Sequence, residues 1–142
     1  DNAKVYDNAR IFSKSKVFRN AEVFGTAKVF GNAEIYGHSK IYGTAIVHGD
    51  SNIYGFSHVF DNASIDGTAK ISGTADVFGN AEICGNAKVY DDEDYIIFKN
   101  FWSSGRFFTW TRSNNMWKVG CFYGTGEELI EKAYRDSKKS GK

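Results

Sequence analysis

The chain is short of most features that announce an activity. Two cysteines in 142 residues, Cys84 and Cys121, are too few for a disulfide framework. They lack the CxxC spacing of redox or zinc motifs and read as reduced thiols of a cytoplasmic protein. There is no excess of charge: 18 basic residues face 17 acidic ones, a formal net charge of +1. That balance gives no electrostatic case for binding nucleic acid or a membrane surface. No apolar run approaches the roughly 18 residues that span a bilayer, and no secretory signal pattern is visible. What remains is enough chain for one ordinary domain, or a domain with a small appendage.

What is present is a repeat. In residues 25–43, GTAKVFGNAEIYGHSKIYG, a glycine comes every sixth residue, and Val or Ile followed by Phe or Tyr precedes it. A small residue recurs at Ala3, Ala9, Ser15 and onward to Ala81 and Ala87, and a β-branched aliphatic follows two positions later each time. From Val5 to Val89 there are fourteen steps of six, hence fifteen hexads without an insertion or deletion. Residues two apart on a strand face the same way, so the small and aliphatic positions share an inner face. The Gly-Asn or Gly-Thr pair closing each unit is a turn signal, because Gly and Asn tolerate positive φ. The chain opens Asp1-Asn2-Ala3, already in phase with the repeat, as expected of a piece of a longer array.

Through residues 1–92 an aliphatic residue is followed four positions later by a small one, as in Val23…Ala27 or Val29…Ala33, and this pattern resembles the hexapeptide-repeat superfamily. The resemblance implies a left-handed parallel β-helix with triangular coils of three hexads, so fifteen hexads make five coils. The departure from the family pattern is the aromatic residue that follows most of the aliphatic ones. Burying a Val or Ile fully is worth about 1.5–3 kcal/mol, so fifteen of them suffice for a core.

A period of eighteen sorts the outward residues into ladders. One face stacks Tyr6, Phe24, Tyr42, Phe60 and Phe78. A second stacks Phe18, Tyr36, Tyr54, Ser72 and Tyr90, and the last begins Phe12, Phe30 and fades to His48, Asp66 and Cys84. Beside the first run Lys4, Glu22, Lys40, His58 and Asp76, alternating in sign over most of their length. Ring and charge ladders stabilise neighbouring strands. Two aromatic walls are also apolar enough to be covered by a partner subunit, a target protein or the C-terminal region.

Acyltransferases of the resembled superfamily extrude a loop and use a catalytic His between trimer subunits. Here no coil has room for a loop. His38, His48 and His58 do not share a face on adjacent coils, so neither an oriented general base nor a three-His metal site is expected within one chain. No catalytic residue, metal ligand or cofactor is assigned. Thr26, Thr44, Thr68 and Thr74 do not form the flat Thr-x-Thr face of an ice-binding array.

At Asp91-Asp92-Glu93-Asp94 the repeat stops, and four acids in a row read as a solvated boundary. Residues 93–142 are expected to form an α+β capping module. Tyr95–Phe98 reads as a strand, and Arg106–Thr111 with Met116–Phe122 as a hairpin around Ser113-Asn114-Asn115. Thr125-Gly126-Glu127-Glu128 reads as a capping box opening a helix to about Ser137, with Leu129, Ile130 and Ala133 near helical spacing. This segment holds Trp102, Trp110 and Trp117. Its first expected role is to cover the open end of the solenoid. Trp110, Arg112 and Trp117 form a secondary binding candidate, and Cys121 reads as a buried small hydrophobe. The stretch WTRSNNMWKVGCFYGTGEELIEKAY resembles a small module of uncharacterised bacterial and phage proteins, which implies a phage-associated chain in a bacterial cytoplasm.

The expectation is a mainly β, non-enzymatic scaffold or binding protein. Its interface residues are Tyr6, Phe24, Tyr42, Phe60 and Phe78 with Phe18, Tyr36, Tyr54 and Tyr90. Its partner is a second copy, as a dimer or trimer, or a bacterial protein target. Two alternatives stand beside it: a phage-encoded inhibitor of a bacterial defence protein of the anti-CRISPR type, and a hexapeptide acyltransferase with an inter-subunit site.

Overall fold

A computed structural model describes residues 1–100 and 105–139. Each hexad contributes one two-residue strand and one tight turn. Fifteen such strands run from β1 (Lys4–Val5) to β15 (Lys88–Val89), one every six residues. The turn needs a left-handed residue, which glycine supplies: Gly49 has φ of 72°. A Cβ there would sit 2.7 Å from the Gly67 carbonyl oxygen and 2.8 Å from its nitrogen, so the next coil also leaves no room for one. Asp7 and Asp61 take the same conformation, and their carboxylates accept hydrogen bonds from the Gly25 and Gly79 amides at 3.3 and 3.2 Å.

Every third strand pairs in parallel, giving three five-stranded sheets and five coils. The first face carries Val5, Val23, Ile41, Val59 and Val77; the second carries Ile11, Val29, Val47, Ile65 and Ile83; the third carries Val17, Ile35, Ile53, Ile71 and Val89. The register puts each residue under the one eighteen later. Amides donate to carbonyls seventeen residues on, as Lys40 to Ser57 at 3.0 Å and Asn52 to Ala69 at 2.9 Å. The inner residues form one continuous axial core, fully buried from Ala21 to Val89, while Val5 is 47% exposed. Ser39, Ser51 and Ser57 occupy small inner positions, and their hydroxyls donate back to the carbonyls of Tyr36, His48 and Tyr54 at 2.7–2.8 Å. Those buried oxygens are therefore satisfied.

Beyond β15 a 3-10 turn at Asp92–Asp94 leads into β16 (Tyr95–Lys99), β17 (Phe107–Thr111), β18 (Met116–Val119) and β19 (Phe122–Gly124). These make one antiparallel sheet in chain order, followed by α1 (Gly126–Lys139). Three local expectations are corrected. The second hairpin strand is split into β18 and β19, because Gly120 turns the chain with φ of 56°. The helix runs to Lys139, and none of its residues is buried; Ile130 is 59% exposed although it lies at helical spacing. Cys121 is exposed, because it sits on that turn rather than inside a strand. The Thr125 hydroxyl accepts the Glu128 amide at 3.2 Å, as a helix N-cap should. Trp102 lies outside the described residues.

The burial gradient along the axis makes one substitution a position-dependent probe. Ile53→Ala removes a fully buried side chain and should cost about 2–5 kcal/mol in urea unfolding. Ile11→Ala, at a half-buried position, should cost clearly less; equal losses would refute a core that deepens along the axis.

Candidate functional site

The first-face ladder is an unbroken stack. Ring centroids are 4.9 Å apart from Tyr6 through Phe24 and Tyr42 to Phe60, and 5.4 Å from Phe60 to Phe78, with planes 2–13° apart. Each ring thus covers the face of the next, and the wall presents ring edges. Phe24, Tyr42 and Phe60 are half-buried, whereas the terminal rings Tyr6 and Phe78 are exposed. The geometry follows from the register, since a coil rise close to 4.8 Å is near the spacing of offset aromatic pairs. Burial raises the Tyr42 phenol above its ordinary value, so it stays a neutral donor near pH 7.

Charges beside this ladder interlock along the axis. Glu22 reaches Lys40 at 3.9 Å and accepts from the Tyr6 hydroxyl at 3.1 Å, and His58 Nδ1 lies 3.6 Å from Asp76. The Phe18 ladder stacks through Tyr36 to Tyr54 at 5.0 and 5.1 Å, then stops at Ser72; Tyr90 beyond it is exposed. On the second face Phe12, Phe30 and His48 stack at 4.8 Å, and His48 Nδ1 meets Asp66 at 3.2 Å.

Two histidines therefore do have an orienting carboxylate, contrary to the expectation from the sequence. The partner is an aspartate one coil above, not a second histidine, and the spacing of eighteen in His48/Asp66 and His58/Asp76 was the signal. Above Asp66 comes Cys84, whose thiol burial pushes up to about 11, so it is un-ionised at neutral pH and a poor nucleophile. Among the described residues no cluster of three or more metal-ligating side chains occurs, and no helix is long and apolar enough to cross a membrane.

The secondary candidate resolves differently. Trp110 and Trp117 face each other across β17 and β18, and Trp110 Nε1 donates to Asn115 at 2.9 Å. Trp117 meets Phe98 and Phe108 edge-on at 6.0 and 6.4 Å. These rings alternate with Thr109 and Thr111, which are buried. Arg112 stands apart, its backbone amide bonded to the Asp94 carbonyl at 2.9 Å and its guanidinium 4.0 Å from that carboxylate.

The other face of the module seals coil five, and sequence reasoning did not find the residues that do it. In coils one to four the outward residue of each strand donates its amide to the next coil. In coil five Asp76, Glu82 and Lys88 have no next coil, and side chains accept instead: Asp92 Oδ1 at 2.8 Å, Thr109 Oγ1 at 3.1 Å and Ser113 Oγ at 2.7 Å, one for each face. Tyr95 joins the core cluster; its hydroxyl donates to the Asp76 carbonyl at 2.7 Å and is bonded by the Phe78 amide. Burial pushes its phenol up to about 12. Asp94 accepts from the Tyr90 amide at 2.8 Å. The acidic run is thus a structural acceptor set with a reciprocal cap at Asp91 and Asp94, not merely a solvated boundary. Only the hydroxyl-aromatic alternation of Thr109, Trp110 and Thr111 hinted at it.

No protein-family model, curated protein or solved structure matches this chain.

Thr109→Val should strand the Glu82 amide at the sealed end and cost about 1–3 kcal/mol in denaturant unfolding. The control, Thr44→Val on an exposed turn, should stay within about 0.5 kcal/mol. Equal effects would refute hydroxyl capping.

Proposed function

We propose that the protein is a non-catalytic scaffold whose Tyr6 wall is a protein-binding surface, with a second copy as its partner. The solenoid is assigned on the same footing to the hexapeptide-repeat superfamily, with left-handed coils, on the strength of its uninterrupted small-to-aliphatic hexads. The observation that carries the binding reading is the five-ring ladder of the first face, complete where the other two are broken. Its exposed edges make an apolar strip about 20 Å long at one ring per coil. An antiparallel copy, as an isologous contact requires, sets Lys4 against Asp76 and Glu22 against His58, and places Lys40 against its own counterpart on the two-fold axis, where the Glu22 carboxylates 3.9 Å from each Lys40 offset the repulsion. A stable contact needs about 800 Å² per partner, so a mate must cover the flanking charged row as well as the ring edges. The test is sedimentation. The unmodified protein should sediment as a dimer or trimer at tens of micromolar, and Tyr42→Lys with Phe60→Lys as a folded monomer. An unmodified monomer would overturn self-association.

The acyltransferase reading keeps one supporting observation, the His48–Asp66 pair at 3.2 Å, which leaves Nε2 as an acceptor. An acyl-CoA enzyme would be stabilised by CoA through mass action, about 2–4 kcal/mol at saturation. On the scaffold reading, millimolar CoA leaves the melting temperature unchanged; a saturable rise would overturn it in favour of the enzyme.

A further inference from the structure

Helix α1 is docked along one side only. Leu129, Lys132, Ala133 and Asp136 line the crevice that it makes with Phe108, Val119 and Phe122. At about 100° per residue those four share one face of the helix. The opposite face carries Glu127, Glu131, Tyr134 and Lys138 in a stripe, with Ile130 on one flank and Arg135 on the other. All six side chains are exposed. Tyr134, at 69%, is the most exposed large hydrophobic side chain among the described residues, and Ile130 lies one turn before it at 59%.

The charges on this outer face are segregated rather than interleaved. Glu127 and Glu131 stand four residues apart, and Arg135 and Lys138 three apart, spacings at which like charges repel along a helix. None of the four forms an ion pair among the described residues; the salt bridge within α1, Lys132 with Asp136, lies on the docked side. The helix dipole accounts for an acid in the first turn and a base in the last, hence for Glu127 and Lys138. It fades within a turn, so it does not account for Glu131 and Arg135.

Reversed, the face is its own complement. A second α1 laid antiparallel about a two-fold axis beside Lys132 and Ala133 brings Glu127 to Lys138 of the other copy at both ends. The two-fold keeps each flank on its own side, so Ile130 packs on Tyr134 along one edge and Glu131 meets Arg135 along the other. A parallel mate would set like charges together along the whole stripe.

We propose that the outer face of α1 is a self-association surface that pairs antiparallel with α1 of a second copy. It is separate from the Tyr6 wall and does not rest on that reading. The 14-residue helix is about 21 Å long. One helix pair falls short of the roughly 800 Å² per partner of a standard interface, so the contact is weak, with a Kd of about 0.2–1 mM.

Sedimentation of the full chain carrying Tyr42→Lys and Phe60→Lys, which removes the wall contact, isolates this one. Raising the protein from about 20 μM to about 1 mM should move it from monomer towards dimer. Glu127→Lys with Glu131→Lys makes every charge on the face basic, and Arg135→Glu with Lys138→Glu makes every charge acidic. Each reversed variant alone should lose affinity at least about fivefold, and an equimolar mixture of the two should recover it as a heterodimer. Salt at about 0.5 M should weaken the unreversed helix contact at least about threefold, and this arm decides alone if a reversed helix does not fold. The chain without substitutions should show the same weak step, starting from the wall dimer or, if the wall reading fails, from the monomer, so the two failures are distinguishable. The proposal is overturned if the wall-substituted chain stays monomeric at about 1 mM, if either reversed variant associates unchanged, if their mixture does not recover, or if salt has no effect.

Discussion

Everything in this molecule depends on the backbone ladder that runs along the solenoid axis. Each outward residue donates its amide to a carbonyl seventeen positions later, so residue i lies under residue i+18 on every face. Parallel pairing in strict register turns each position of the hexad into a column. Aliphatic columns become a core, ring columns become stacks, and charged columns become chains of neighbours that must alternate in sign or remain strained. The two-residue strands could not hold together alone. They persist because those of the three inner coils are hydrogen-bonded on both sides, and because most turns are closed by a glycine that accepts both the left-handed backbone and the near contact with the coil above.

The same ladder creates the problem that the C-terminal module solves. A parallel stack always ends in a row of unpaired amides and carbonyls over an open core. Another strand would repeat the problem one level higher. Here side-chain oxygens terminate the ladder instead, because a hydroxyl or carboxylate accepts an amide without presenting a new edge. Tyr95 closes the axis with an apolar ring and a hydroxyl that serves two backbone groups at once. The module's aromatic density is explained in the same terms: Trp117, Phe98 and Phe108 pack with one another on the face turned away from the coil. Trp117 belongs to that packing, Trp110 lies beside it across β17 and β18 and is held by Asn115, and Arg112 is tied to Asp94.

Columns also say where recognition is plausible on physical grounds. Inside an intact stack the ring faces are already in contact with protein, and only their edges remain for a partner, so such a wall suits a broad, shallow protein contact. Interruptions behave otherwise. Where Asp66 follows His48, an imidazole gains an oriented carboxylate. Where Ser72 follows Tyr54 the ring column breaks, and a buried hydroxyl is left without a partner. Function in a regular array is most readily sought where regularity fails, since the regular part is self-satisfied.

The hexad count, the inner and outer faces, the five-coil mainly β architecture and the membership of each ladder were all legible in the sequence. Strict periodicity makes spatial neighbours out of positions a fixed number apart, so long-range contacts become a matter of arithmetic. The His48/Asp66 pair was available by that same arithmetic and was missed because only histidines were compared. The capping contacts were not available. Asp92, Thr109 and Ser113 meet Asp76, Glu82 and Lys88 across separations that follow no period, fixed by how a twisted four-stranded sheet docks on a triangular end. The exposure of Cys121 and Ile130 likewise came from a turn and a helix placement that local pattern does not encode. Sequence determined the columns because hydrogen-bond register is local and repetitive; tertiary structure decided the seal and the orphan at Ser72, because those depend on which atoms no regular neighbour satisfies.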